Sequence, residues 1–152
     1  MSADGLLRRL LLVLFLLSAV QAALNAAELP ALSAVWFDRA GEALYYVETW
    51  RFMWVHVGTA AALAAAFWVL PGRLVAHPDA PRRPDPRAAA LRRWHWLGIV
   101  SLVVLTALAQ LVYDANRAVI PRLPLPRVGM LGAAYAAFVA AWVLVYPRRR
   151  RE

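Results

Sequence analysis

The chain has 152 residues, 62% of them hydrophobic, with a formal charge of +8 and no Cys. The apolar excess over a soluble domain is large, and the missing thiols exclude disulfides, thiolate metal sites and Cys nucleophiles. All seventeen basic residues are Arg, gathered in short clusters without a base-reading motif, so the charge does not point to nucleic acid.

Four apolar stretches, at about 7–27, 52–71, 95–113 and 128–146, are each long enough to cross a bilayer. They predict a single all-α membrane domain, a four-helix antiparallel bundle spanning residues 1–152. Helix 1 follows Arg8 and Arg9 and stops before Glu28-Leu29-Pro30. A cleavable signal peptide is the rival reading of this segment, because small residues such as Ala22 and Ala23 follow the apolar run. The run continues to Ala27, which favours a retained helix.

The next loop, Ala31 to Trp50, holds Trp36, Phe37, Tyr45 and Tyr46, with one turn signal at Gly41. A loop this apolar is expected to fold onto the mouth of the bundle or along the headgroups. Helix 2 is expected to end at Pro71-Gly72. The linker 72–94 carries Pro78, Pro81, Pro84 and Pro86 among Asp and Arg, which predicts an extended segment able to touch anionic lipid. Helix 3 runs to a short loop stiffened by Pro121, Pro124 and Pro126, so helices 3 and 4 should be close antiparallel neighbours. Small residues mark one face of helix 2 (Gly58, Ala62, Ala66) and one of helix 4 (Gly129, Ala133, Ala137, Ala141). Such faces suit close helix packing, within the chain or against a protein partner or second copy.

Arginine counts set the expected orientation. The N-terminus, the 72–94 linker and the tail carry twelve, and the two opposite loops carry five. That predicts a bacterial cytoplasmic (inner) membrane protein with both termini in the cytoplasm.

Polar residues inside spans are the place to look for function. Gln21 and Asn25 on helix 1, His56 and Thr59 on helix 2, and Thr106, Gln110 and Asp114 on helix 3 fall at similar depth near the outer end. Tyr135 on helix 4 lies slightly deeper, and the inner half offers only Ser18 and Ser101. We expect a cluster around His56 with Gln21, Thr59, Gln110 and Asp114. It reads either as interhelical hydrogen bonding or as a small-ligand, proton or ion site. His56 and His95 fall near opposite ends of their spans, which excludes an intramolecular bis-His haem. No catalytic, metal or phosphate-loop motif occurs, so the chain reads as non-enzymatic, with no cofactor or metal assigned. The alternative is a membrane subunit of a redox complex, binding haem or quinone near His56.

After helix 1 the chain reads Leu29-Pro30, a spacer, Trp36-Phe37-Asp38 and then Gly41, and Asn116 follows Ala115 at the end of helix 3. This pattern resembles small bacterial multi-pass membrane proteins with the SdpI-type immunity domain. The resemblance implies a protein of immunity, signalling or accessory role and no enzyme. Independently of the resemblance, we expect the outer loop carrying Trp36, Phe37, Asp38 and Gly41 to cap the bundle over His56.

Overall fold

The computed structural model describes residues 3–74 and 86–148. The order is α1 (Ala3–Glu28), β1 (Leu32–Phe37), β2 (Ala43–Glu48), α2 (Thr49–Leu74), α3 (Pro86–Asn116) and α4 (Leu125–Arg148). Pro78, Pro81, Pro84, Arg82 and Arg83 of the expected linker, with Arg149 to Arg151 of the tail, lie outside the described residues.

All four helices are long and apolar enough to cross a membrane: Gly5–Glu28, Thr49–Leu70, Ala90–Asn116 and Leu125–Leu144. Their outward surfaces agree with that. Leu12, Val13, Leu16, Leu17, Val20 and Leu24 are exposed along one side of α1, an apolar surface that suits lipid better than water.

Every helix runs further than its apolar stretch. The expected linker 72–94 is mostly absorbed, because α2 continues through Pro71-Gly72 to Leu74 and α3 already begins at Pro86. Pro71 lies in the last turn of its helix, where its missing N–H removes one helical hydrogen bond and only three residues follow. Pro86 is the first helical residue, whose N–H needs no partner. Pro126 likewise falls in the first turn of α4, where the amides of Arg127 and Val128 donate to the Pro124 carbonyl.

The bundle differs from the expected four-helix arrangement. Helices α1, α2 and α3 pack mutually, whereas among the described residues α4 contacts only α3. The small-residue faces explain this. Gly129, Ala133, Ala137 and Ala141 are exposed, as are Gly58 and Ala62, while Ala66 is partly buried, so the helix 4 face does not pack inside the chain and the helix 2 face is covered only in part at Ala66. Helix α4 docks through polar and aromatic groups instead. The Tyr135 hydroxyl lies 2.7 Å from Ser101 Oγ, Trp142 Nε1 donates to the Arg93 carbonyl at 3.3 Å, and Trp142 meets Trp94 edge-on at 4.9 Å.

The three-helix core divides along its length. At the end away from the strands it is aliphatic: Leu7, Leu11, Ala60, Ile99 and Leu102 are buried, with Phe67 and Leu105 against them. Gly98 belongs to this half, because a Cβ there would lie 2.5 Å from Phe67 Cβ. Near the strands, Ala22, Ala109 and Tyr113 form a second cluster with Phe52 and Val57. The polar residues of the spans join at this level.

Between α1 and α2 the chain forms a two-stranded antiparallel hairpin, pairing Leu32 with Glu48 and Phe37 with Ala43, with register shifts on both sides of Trp36. Asp38 builds its turn: Oδ1 accepts from the amides of Ala40 and Glu42, both at 2.8 Å. Gly41 closes it at φ 80°.

Candidate functional site

The residues singled out from sequence separate into three groups. His56 is buried and sits between two hydroxyls. Its Nε2 lies 3.0 Å from Ser18 Oγ and its Nδ1 lies 3.3 Å from the Tyr113 hydroxyl. Thr106 Oγ1 donates to the same Ser18 oxygen at 3.0 Å. A hydroxyl has one proton and two lone pairs, so Ser18 donates to a bare Nε2 or accepts from an Nε2–H, and Tyr113 takes the opposite part at Nδ1. Thr106, Ser18, His56 and Tyr113 make one hydrogen-bonded relay across α1, α2 and α3.

Gln21, Gln110 and Asp114 form a second network, along the α1–α3 seam. Gln21 Nε2 donates to Gln110 Oε1, which also accepts from Asn25 Nδ2 at 3.1 Å. Gln110 Nε2 donates to Asp114 Oδ1 at 2.7 Å. Arg117 donates to Asp114 at 2.9 Å and to Glu28 at 2.7 Å, ending the ladder in solvent-exposed ion pairs. Hydrogen bonding to Glu28 raises the Arg117 pKa further above its already high value. The ladder recurs every three or four residues on both helices: Ser18, Gln21, Asn25 and Glu28 face Thr106, Gln110, Asp114 and Arg117.

Thr59 joins neither network. It is exposed, and its hydroxyl donates to its own helix at the Val55 carbonyl. Ser18 and Tyr113 are the His56 partners that sequence reasoning missed. Because α2 starts at Thr49 and not near residue 52, His56 lies almost a turn deeper than expected and comes level with Ser18. The sequence alone gives Tyr113 no distinguishing signal; it is fully buried, tilted against Phe52 at 5.1 Å and His56 at 5.9 Å.

The third group is the hairpin motif. Asn116, at the last position of α3, donates from Nδ2 to the Ala34 carbonyl at 2.9 Å and accepts from the Ala34 amide at 2.6 Å. The Pro30 carbonyl accepts from Thr49 Oγ1, which also meets Ser33 Oγ at 2.7 Å. The Gly41 carbonyl accepts from the Leu123 amide at 2.9 Å, and Arg122 pairs with Glu42 at 2.7 Å. Pro30, Asp38, Gly41 and Asn116 thus tie one hairpin to the helix ends and to the α3–α4 loop. Trp36 is 68% exposed and Phe37 partly so. The motif's hydrogen bonds run to Thr49, Asn116 and Leu123 rather than to His56.

A groove of about 350 Å³ opens sideways along the α1–α3 seam, lined by Leu14, Leu17, Gln21, Val103, Thr106, Ala107 and Gln110. Among the described residues no group of three or more His, Asp or Glu is placed to hold a metal ion. The class that fold and site define is a helical protein with four helices able to span a membrane and one latched β-hairpin. Compared with protein-family models, curated proteins and solved structures, the chain has no match.

Proposed function

We propose that this is a non-enzymatic multi-pass protein of the bacterial inner membrane, in an immunity, signalling or accessory role, presenting its hairpin outside the cell membrane to a protein partner. One observation carries the reading. The hairpin is anchored at Ala34 and Gly41, yet Leu32, Trp36, Leu44 and Tyr45 are each more than half exposed. A preformed apolar surface loses little entropy on binding, and aromatic anchors dominate interfaces of this kind. The arginine asymmetry supports cytoplasmic termini, with anionic lipid at the Arg-rich segments. The resemblance of the Pro30–Gly41 segment and Asn116 to SdpI-type immunity proteins supports the same class.

Orientation is tested by reporter fusions after Arg148 and within the 38–42 turn, which should report opposite sides. The role is tested by a photo-crosslinking amino acid at Trp36 or Tyr45 in cells. A discrete protein adduct, lost when the other aromatic is changed to Ala, is the expected result. Adducts to lipid alone would end the proposal.

The redox-subunit alternative divides. Haem ligation by His56 is disfavoured, since both ring nitrogens already lie within hydrogen-bond distance of Ser18 and Tyr113. A Soret band that disappears in His56→Ala would reverse that judgement.

A further inference from the structure

We infer that the outer edge of β2 receives an extended, uncharged segment of the partner protein as a third strand. The inference rests on the reading of the hairpin as a partner surface and adds the mode of binding.

The two edges of the hairpin are treated differently. On β1, the Ala34 N–H and C=O both go to Asn116. Ala34 sits opposite Tyr46, and in an antiparallel pair two facing residues turn their backbone groups either toward each other or both away. Those of Ala34 turn away from β2, so those of Tyr46 turn away from β1. They meet no other group among the described residues. Beyond β1 and α2, β2 touches no other strand or helix. The α3–α4 loop comes alongside only at Glu42, through a single bridge to Arg122.

What remains of this edge is open to pairing. Exposed edges are commonly blunted by charge or proline, and residues 43–47 contain neither. Leu44, Tyr45 and Tyr46 are consecutive and exposed, so both faces of the strand are uncovered. Glu42 and Glu48 beside them are already paired, with Arg122 and Arg51. The edge therefore offers a backbone donor and acceptor at strand spacing, flanked by apolar side chains and without uncompensated charge. Its complement is an extended, uncharged peptide.

The chain cannot supply that peptide itself. Asn116 is held on the β1 edge and Arg122 lies on the β2 edge, so the loop between them passes round the turn and leaves nothing to run along β2. Val119 and Ile120 of that loop are exposed. A second copy paired through β2 would offer only the same short edge, far below the roughly 1,200 Å² at which stable interfaces begin. A separate protein can continue from the edge over Trp36 and Leu32, which the hairpin also leaves exposed.

The test places a photo-crosslinking amino acid at Tyr45 of the full chain in cells and compares changes at the next residue. Tyr46→Val keeps the outward N–H and loses the ring, and the protein adduct should persist. Tyr46→Pro removes an N–H that the β1–β2 ladder does not use, and should lower the adduct yield at least about tenfold. Amide exchange at Ser33 and Val47, which face each other across the ladder, reports whether the hairpin is intact. Where proline disturbs it, the α-hydroxy acid analogue of tyrosine at position 46 replaces the N–H by oxygen without fixing φ, and should lower the yield likewise. Undiminished yield in both forms with an intact hairpin overturns strand addition and leaves the partner reading standing. An adduct of this chain with itself overturns the choice of a separate protein. No protein adduct in the parent removes the partner reading and the inference together.

Discussion

Asn116 holds Ala34 as a neighbouring strand would, giving one donor and one acceptor from a single side chain to one residue's backbone. The contact joins the last residue of a long helix to the first strand of the hairpin, and both partners are buried. Hairpins of two strands are marginal by themselves, so an amide that completes the free edge at Ala34 contributes directly to order there. The exposed aromatics of the hairpin are held in place through that link.

Replacing Asn116 by Ala leaves the Ala34 N–H and C=O buried without partners. The expected cost is roughly 2–4 kcal/mol from two unsatisfied backbone groups. Denaturant titration in detergent should report it, and amide exchange should accelerate across residues 32–48 more than in the helices. Uniform protection after the substitution would show that the latch is dispensable.

Gly41 is constrained twice. Its φ of 80° is costly for any side chain, and an added Cβ would lie 2.5 Å from the Leu123 carbonyl oxygen. Gly41→Ala should destabilise by at least about 1–3 kcal/mol and push the α3–α4 loop away from the turn. The readout is faster exchange of the Leu123 amide, together with easier proteolysis between Arg117 and Arg122.

At Gly98 the constraint is packing alone. Because a Cβ would overlap Phe67, Gly98→Ala forces α2 and α3 apart at the aliphatic end, for roughly 1–3 kcal/mol. Phe67→Gly in the same chain removes the overlapping Cβ, Cγ and ring, so the double change should cost less than the sum of the two single ones. Additive effects of the two changes would mean that they do not touch.

The relay makes a prediction about one ring. His56 meets a hydroxyl at each ring nitrogen, Ser18 at Nε2 and Tyr113 at Nδ1. Ser18→Ala and Tyr113→Phe each leave one buried nitrogen without its partner and should cost about 1–3 kcal/mol in denaturant titration. Histidine ¹⁵N shifts should move most at the nitrogen that lost its hydroxyl. Spectra unchanged in both variants would show that the ring makes neither bond.

Four helices, their order and the span-forming character of each were legible along the chain, since hydrophobic runs of bilayer length are a local property. Gly41 also announced a turn before any contact was known, whereas the two strands that it joins were not read in an all-α chain. Helix ends were less legible, because Pro71 and Pro86 read as breakers when considered alone. Whether a proline stops a helix depends on which turn it occupies, as both show.

The candidate site depended on rotation about each helix axis as well as depth along it. Depth grouped His56 with Gln21, Gln110 and Asp114, and rotation divided them into a relay and a ladder. It turned Thr59 outward and brought in Ser18 and Tyr113. Composition and hydropathy therefore decided that the chain forms apolar helices of bilayer length, because burial in lipid acts on each segment separately. Which side chains meet was decided only by packing: a hydrogen bond needs two groups within about 3 Å, and residues as far apart in sequence as Ala34 and Asn116 acquire that distance from the whole fold.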